Sequence, residues 1–127
     1  MAIINNKESL VAWREAAKAK GLALQRTKTL VNVSCGTCGL ASGADEVWKT
    51  MHKAAEECGL DSVEFIRSGC MTYCYAEPTV TITRPEAEPV TFGHVDEKRA
   101  KALVEKFITQ GEMVEGEIPI NYERVLL

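Results

Sequence analysis

The sequence predicts an α/β domain in which a parallel β-α-β unit is followed by a β-hairpin and a closing helix. Three observations carry that expectation. Short runs rich in β-branched residues, TLVNVS (Thr29 to Ser34), VEFIR (Val63 to Arg67), TVTITR (Thr79 to Arg84) and PVTFGHV (Pro89 to Val95), alternate with turn residues. A helical apolar period fills the gap between the first two runs and returns after the last. The link PEAE between the third and fourth runs is short enough to make them a hairpin.

The elements follow in order. A first helix is expected from about Lys7 to Lys20, capped by Asn5 with Glu8 completing a capping box, with Leu10, Trp13 and Ala17 on one face and Gly21 as its stop. The stretch LALQRTK reads as a linker. After the strand from Thr29, Ser42 is expected to cap a helix that presents Val47, Met51, Ala54, Ala55 and Cys58 on one face and ends at Gly59. Asp96 caps the last helix, which buries Ala100, Leu103, Val104, Phe107 and Ile108 and stops at Gly111. The remainder, EMVEGEIPINYERVLL, has no helical period and reads as extended. The resulting β-α-β-β-β-α succession is the thioredoxin-like order, with helices on the faces of one sheet. The expected divisions are 1–28 for the helix and linker, 29–114 for the domain and 115–127 for a tail.

Composition narrows the function. The 127 residues suit one domain with a real core, and the net charge of −3 gives no reason to expect nucleic acid or an anionic membrane as partner. No apolar run approaches the ~20 residues of a membrane span. The N-terminus lacks the basic and apolar regions of a secretory signal, so the expectation is cytoplasmic. There are five cysteines, an odd number that argues against a disulfide framework in that compartment.

Four of these form two close pairs, Cys35-x2-Cys38 and Cys70-x3-Cys74. The first falls between strand one and its helix, the second between strands two and three. In this topology both loops leave the same end of the sheet, so the pairs can converge. Cys58 sits at the far end of its helix, on the order of 20 Å from Ser42, and is expected to be a small buried apolar group.

Three chemistries compete for these thiols. CGTC after a strand fits a redox dithiol, and EPTV stands where thioredoxins place a cis-proline. Gly39 and Gly43 count against it by keeping Cys38 in a loop, and it leaves Cys70 and Cys74 unexplained. A structural zinc site would use all four, although a chain with this much core does not need zinc to fold. A [2Fe–2S] centre would also use all four, two per iron. Gly36, Gly39, Gly43 and Gly69 would let backbone N–H groups approach its sulfurs, and the helix after Ser42 would add a positive dipole end. Spacing alone does not choose between them.

The stretches GTCGLASGADEV, SGCMTYCYAEPTVTI and VTFGHVDEKRAKALVEKFITQGEMV resemble the thioredoxin-like [2Fe–2S] ferredoxin family. Within it they are most similar to the small B subunits of NADP-reducing, electron-bifurcating iron hydrogenases, and are related to the small subunit of NADH dehydrogenase. The likeness spans about Thr29 to Val114. It implies a [2Fe–2S] cluster on Cys35, Cys38, Cys70 and Cys74, with Cys35 departing from the family's more usual C-x4-C first pair. It implies a subunit with no substrate site of its own, passing single electrons in a hydrogenase or formate dehydrogenase complex. The implied partners are a flavin- and NAD(P)-binding subunit and a catalytic metal subunit. The alternatives are a free homodimeric ferredoxin and a cluster-free assembly subunit. No G-x-G-x-x-G follows a strand, so the chain shows no dinucleotide fingerprint of its own. Met71 and Tyr73 are candidate shields for the cluster, while His52 and His94 read as packing or surface residues. Trp13, Ile118, Ile120, Tyr122, Val125, Leu126 and Leu127 give the two ends apolar surface suited to gripping neighbouring subunits.

Overall fold

A computed structural model of the chain describes residues 3–119, apart from Met71, Glu86 and the side chain of Gln25. One five-stranded sheet organises it, in the order β2-β1-β3-β4-β5. Strand β1 (Thr29–Ser34) runs parallel to β2 (Val63–Ser68) and antiparallel to β3 (Val80–Thr83), which pairs with β4 (Val90–Phe92) as a hairpin. This is the thioredoxin-like arrangement that the succession of elements predicts. A short fifth strand, β5 (Glu117–Ile118), pairs with β4, so the sheet continues past residue 114. Residues 120–127, which include most of the apolar tail, lie outside the described residues.

The helices differ in detail from expectation, each for a local reason. Helix α1 (Lys7–Thr27) is capped by Asn6, whose side chain accepts the Ser9 N–H while the Ser9 hydroxyl accepts from the Asn6 N–H. It runs through Gly21 to Thr27, because the strong formers Leu22, Ala23 and Leu24 outweigh one glycine, which costs about 1 kcal/mol. The expected cap at Asn5, stop at Gly21 and linker are therefore replaced by one longer helix. A short helix, α2 (Thr37–Ala41), precedes α3 (Ala44–Glu57), and Ser42 closes α2 rather than opening α3. The α3 cap is Gly43, whose φ of 103° favours glycine, and Asp45 and Glu46 complement the dipole in its first turn. Cys58 ends α3 exposed to solvent, not buried as its spacing suggested, because the apolar face stops at Ala55. Helix α4 (Glu97–Ala102), capped by Asp96, continues as a π-helical stretch over Leu103–Ile108.

Helices α3 and α4 pack on the same face of the sheet. Val47, Met51, Ala54 and Ala55 of α3 meet Ala100, Leu103, Val104 and Phe107 over the inward residues Val31, Val33, Val80, Ile82 and Phe92. Phe92 and Phe107 meet edge to face, their centroids 5.2 Å apart. The β1–β2 ladder, ending in the Val33–Arg67 and Ser34–Ser68 pairs, holds the C-terminal ends of these two strands side by side.

Candidate functional site

Because β1 and β2 are parallel and Ser34 pairs with Ser68, the chain leaves both strands at one end of the sheet. The first loop is fastened there: the Cys35 N–H donates to the Ser68 carbonyl at 2.7 Å. Gly36 lies directly against Cys70, where an added Cβ would sit 3.0 Å from the Cys70 nitrogen. Helix α2 then starts at once and carries Cys38, which is thus helical rather than in a loop. A 3-10 turn over Cys74–Ala76 brings the second loop back toward β3 through a cis Glu77–Pro78 bond.

Three thiols meet at this point. The Cys70 and Cys74 sulfurs are 3.4 Å apart. Interaction with Cys70 foremost, and then with Cys38 nearby, pushes the Cys74 thiol up to about 12. The Thr72 N–H donates to the Cys70 sulfur at 3.3 Å. Thr72 does so from a φ of 69°, a conformation that β-branched residues rarely adopt. Cys38, Cys70 and Cys74 are all exposed.

Cys35 is placed differently. Its side chain is half-buried and packs against the main core. Burial pushes its thiol above the ordinary range; the Arg67 guanidinium pulls it down, while Asp45 and Glu77 push it up. A thioredoxin-type dithiol needs an exposed first cysteine with a lowered pKa. Cys35 is the reverse, half-buried with its thiol pushed up, so its surroundings disfavour the CGTC redox pair. Among the described residues no set of three or more His, Cys, Asp or Glu side chains is arranged to hold a metal ion as it stands.

The remaining candidates fall outside this group. His52 is stacked on Phe65 at 4.0 Å beside Trp48, with its Nε2 buried and without a partner among the described residues. His94 is exposed in a turn after β4. Tyr73 meets Tyr75 edge to face at the rim of the thiol loop, and Met71 lies outside the described residues. The sequence reading passed over Ser34 and Glu77. Glu77 is only 7% exposed, and its carboxylate accepts from the Ser34 hydroxyl at 3.1 Å and the Thr79 N–H at 3.0 Å. The available signal was an acid wedged between the CxxxC loop and an otherwise apolar strand.

No family model matches the chain. It is similar in structure to a thioredoxin-like [2Fe–2S] ferredoxin from Aquifex aeolicus, with a TM-score of 0.65 and 20% identity, over 79% of this chain and 98% of that one. A second structure of the wild-type Aquifex aeolicus ferredoxin gives a TM-score of 0.64 at 21% identity, over 73% and 98%. At such identities the likeness shows the fold. In sequence the chain is 48% identical to the NADP-reducing hydrogenase subunit HndB of Solidesulfovibrio fructosivorans across 127 residues, 100% of both chains. Matched end to end at that level, and carrying the thioredoxin-like fold, the chain belongs to the family of the NADP-reducing hydrogenase subunit HndB.

Proposed function

We propose that the chain is an electron-transfer subunit of an NADP-linked hydrogenase complex, holding one [2Fe–2S] cluster on Cys35, Cys38, Cys70 and Cys74. The observation that carries this reading is the meeting of Cys38, Cys70 and Cys74 from two separate loops. The Cys70–Cys74 pair fits the group as it stands. Two thiolates on one tetrahedral metal with ~2.3 Å bonds stand about 3.8 Å apart, close to the 3.4 Å between Cys70 and Cys74. The Thr72 N–H is already aimed at a ligand sulfur, the kind of bond that tunes cluster potential. Cys35 would supply the fourth thiolate; its backbone is tied to Ser68 at the start of the second loop. Bound there, the cluster would supply reversible one-electron storage, held by the chain's own thiolates.

Two further features support a docked role. Leu40, 51% exposed, and Tyr75, 74% exposed, neighbour Cys38 and Cys74 and give the thiol rim an apolar surface for a redox partner. Helix α1 is extra to the thioredoxin-like order and exposes Leu10, Trp13 and Leu22. It carries +3, from five basic and two acidic residues, in a chain of −3 overall. We read α1 as a docking arm for an acidic-rimmed apolar surface on the flavin- and NAD(P)-binding subunit, in the cytoplasm. Among the described residues no helix is long and apolar enough to cross a membrane.

The test is anaerobic purification of the chain within a complete HndB-type hydrogenase complex, catalytic metal subunit included, followed by reduction with hydrogen. The account predicts a reduced-cluster EPR signal from this chain under hydrogen. A chain that co-purifies with iron bound but stays oxidised while its partners are reduced contradicts the electron-transfer role.

A further inference from the structure

We propose that Glu77 is the positioning residue of the thiol site, setting the spacing between the Cys38 helix and the Cys70–Cys74 loop. The inference rests on the cluster reading for its redox consequence but not for its geometry. Glu77 is the one ionisable side chain among the buried polar groups of the described residues, and each of its hydrogen-bonding neighbours here is a donor. Oε1 faces the Ser34 hydroxyl at 3.1 Å; Oε2 faces the Thr79 N–H at 3.0 Å and the Thr79 hydroxyl at 3.4 Å.

Both thiol loops lean on this carboxylate. The single Ser34 hydroxyl proton is shared between Glu77 and the carbonyl of Gly69, the residue before Cys70, 3.0 Å away. Gly39, the residue after Cys38, fits flush against the same node: an added Cβ would collide with the Ser34 carbonyl and stand 3.3 Å from Glu77 Oε2. Ser34 and Thr79 are themselves joined through the backbone at 3.1 Å. One buried carboxylate therefore bonds to the end of β1 and the approach to β3, faces Gly39 of α2 with no room for a side chain between them, and through Ser34 reaches the start of the second loop. A buried polar network of this kind holds its members only while every partner is present. A negative charge on this carboxylate would oppose the addition of an electron to a cluster held by the neighbouring cysteines.

The experiment uses Glu77→Gln in two states of the full-length chain. In the metal-free state, with Cys70→Ser and Cys58→Ala as background, diamide oxidation offers Cys38 a choice between Cys74 and Cys35, read by mass spectrometry. The background protein is expected to favour the Cys38–Cys74 disulfide, and Glu77→Gln to move the ratio toward Cys35–Cys38 by about tenfold. In the iron-loaded state, Glu77→Gln on the native cysteines is expected to move the reduction potential in the positive direction at unchanged iron content. The exposed Glu64→Gln should move neither readout. If Glu77→Gln does not fold, Ser34→Ala removes only the hydroxyl and is expected to shift the disulfide ratio in the same direction. An unchanged ratio in a folded variant overturns the proposal. A wild-type chain that takes up no iron sinks the cluster reading instead, and the disulfide ratio still decides the role of Glu77.

Discussion

Cys35 and Cys38 are three positions apart, and the fold gives them opposite surroundings. Gly36 packs against Cys70, which leaves Cys35 facing the core and puts Cys38 into α2 beside Cys74. Spacing marked the four thiols as two close pairs, and the parallel strands explain why their two loops leave the sheet at one end. It could not show which way each side chain points, because that depends on contacts with the other loop. It also misplaced Cys58, whose helical phase suits the core but whose position at the end of α3 leaves nothing to cover it. These placements rank the cysteines. Cys38→Ser, Cys70→Ser and Cys74→Ser should each lower iron retention by roughly tenfold or more, judged by iron analysis after gel filtration. Cys58→Ala should leave both the iron content and the visible spectrum unchanged, with stability within about 0.5 kcal/mol. Cys35→Ser should weaken retention while sparing the Cys70–Cys74 pair; full retention would remove Cys35 from the ligand set.

At the scale of elements, the strands were the most legible. Thr29 to Ser34 is β1 at the expected bounds, and the hairpin and the Asp96 cap stand where turn and capping chemistry put them. Glycine was read less well, since its effect depends on surroundings the sequence does not display. Gly21 and Gly39 illustrate the two extremes. An added Cβ at Gly21 meets nothing within 4 Å and lies on a helix whose residues are almost all exposed. Gly21→Ala should therefore strengthen α1 by about 0.5–1 kcal/mol, raising the helical circular dichroism signal while leaving the main unfolding transition in place. An added Cβ at Gly39 drives into the Ser34 carbonyl. Gly39→Ala should destabilise the domain by about 1–3 kcal/mol in denaturant unfolding, the cost of overpacking against backbone. Equal effects at the two positions would contradict the packing described for α2.

The whole molecule joins a thioredoxin-like body to a helix that contributes little to its core. The body matches ferredoxins of known structure in fold, and the chain matches a hydrogenase subunit over its full length. Deleting residues 3–28 should accordingly leave the body folded and its iron bound, but release it from the flavin subunit in a pull-down. Retained assembly would make α1 dispensable for docking. No sequence pattern could say that α1 stands clear of the body, since an amphipathic stripe reads the same whether it covers its own domain or a neighbour. The central claim, however, is the cluster, and one measurement addresses it most directly. The anaerobically purified chain should contain about two irons and two acid-labile sulfides and give an S = 1/2 EPR signal on one-electron reduction. Stoichiometric zinc, or an iron-free chain with a reversible Cys35–Cys38 disulfide, would contradict it.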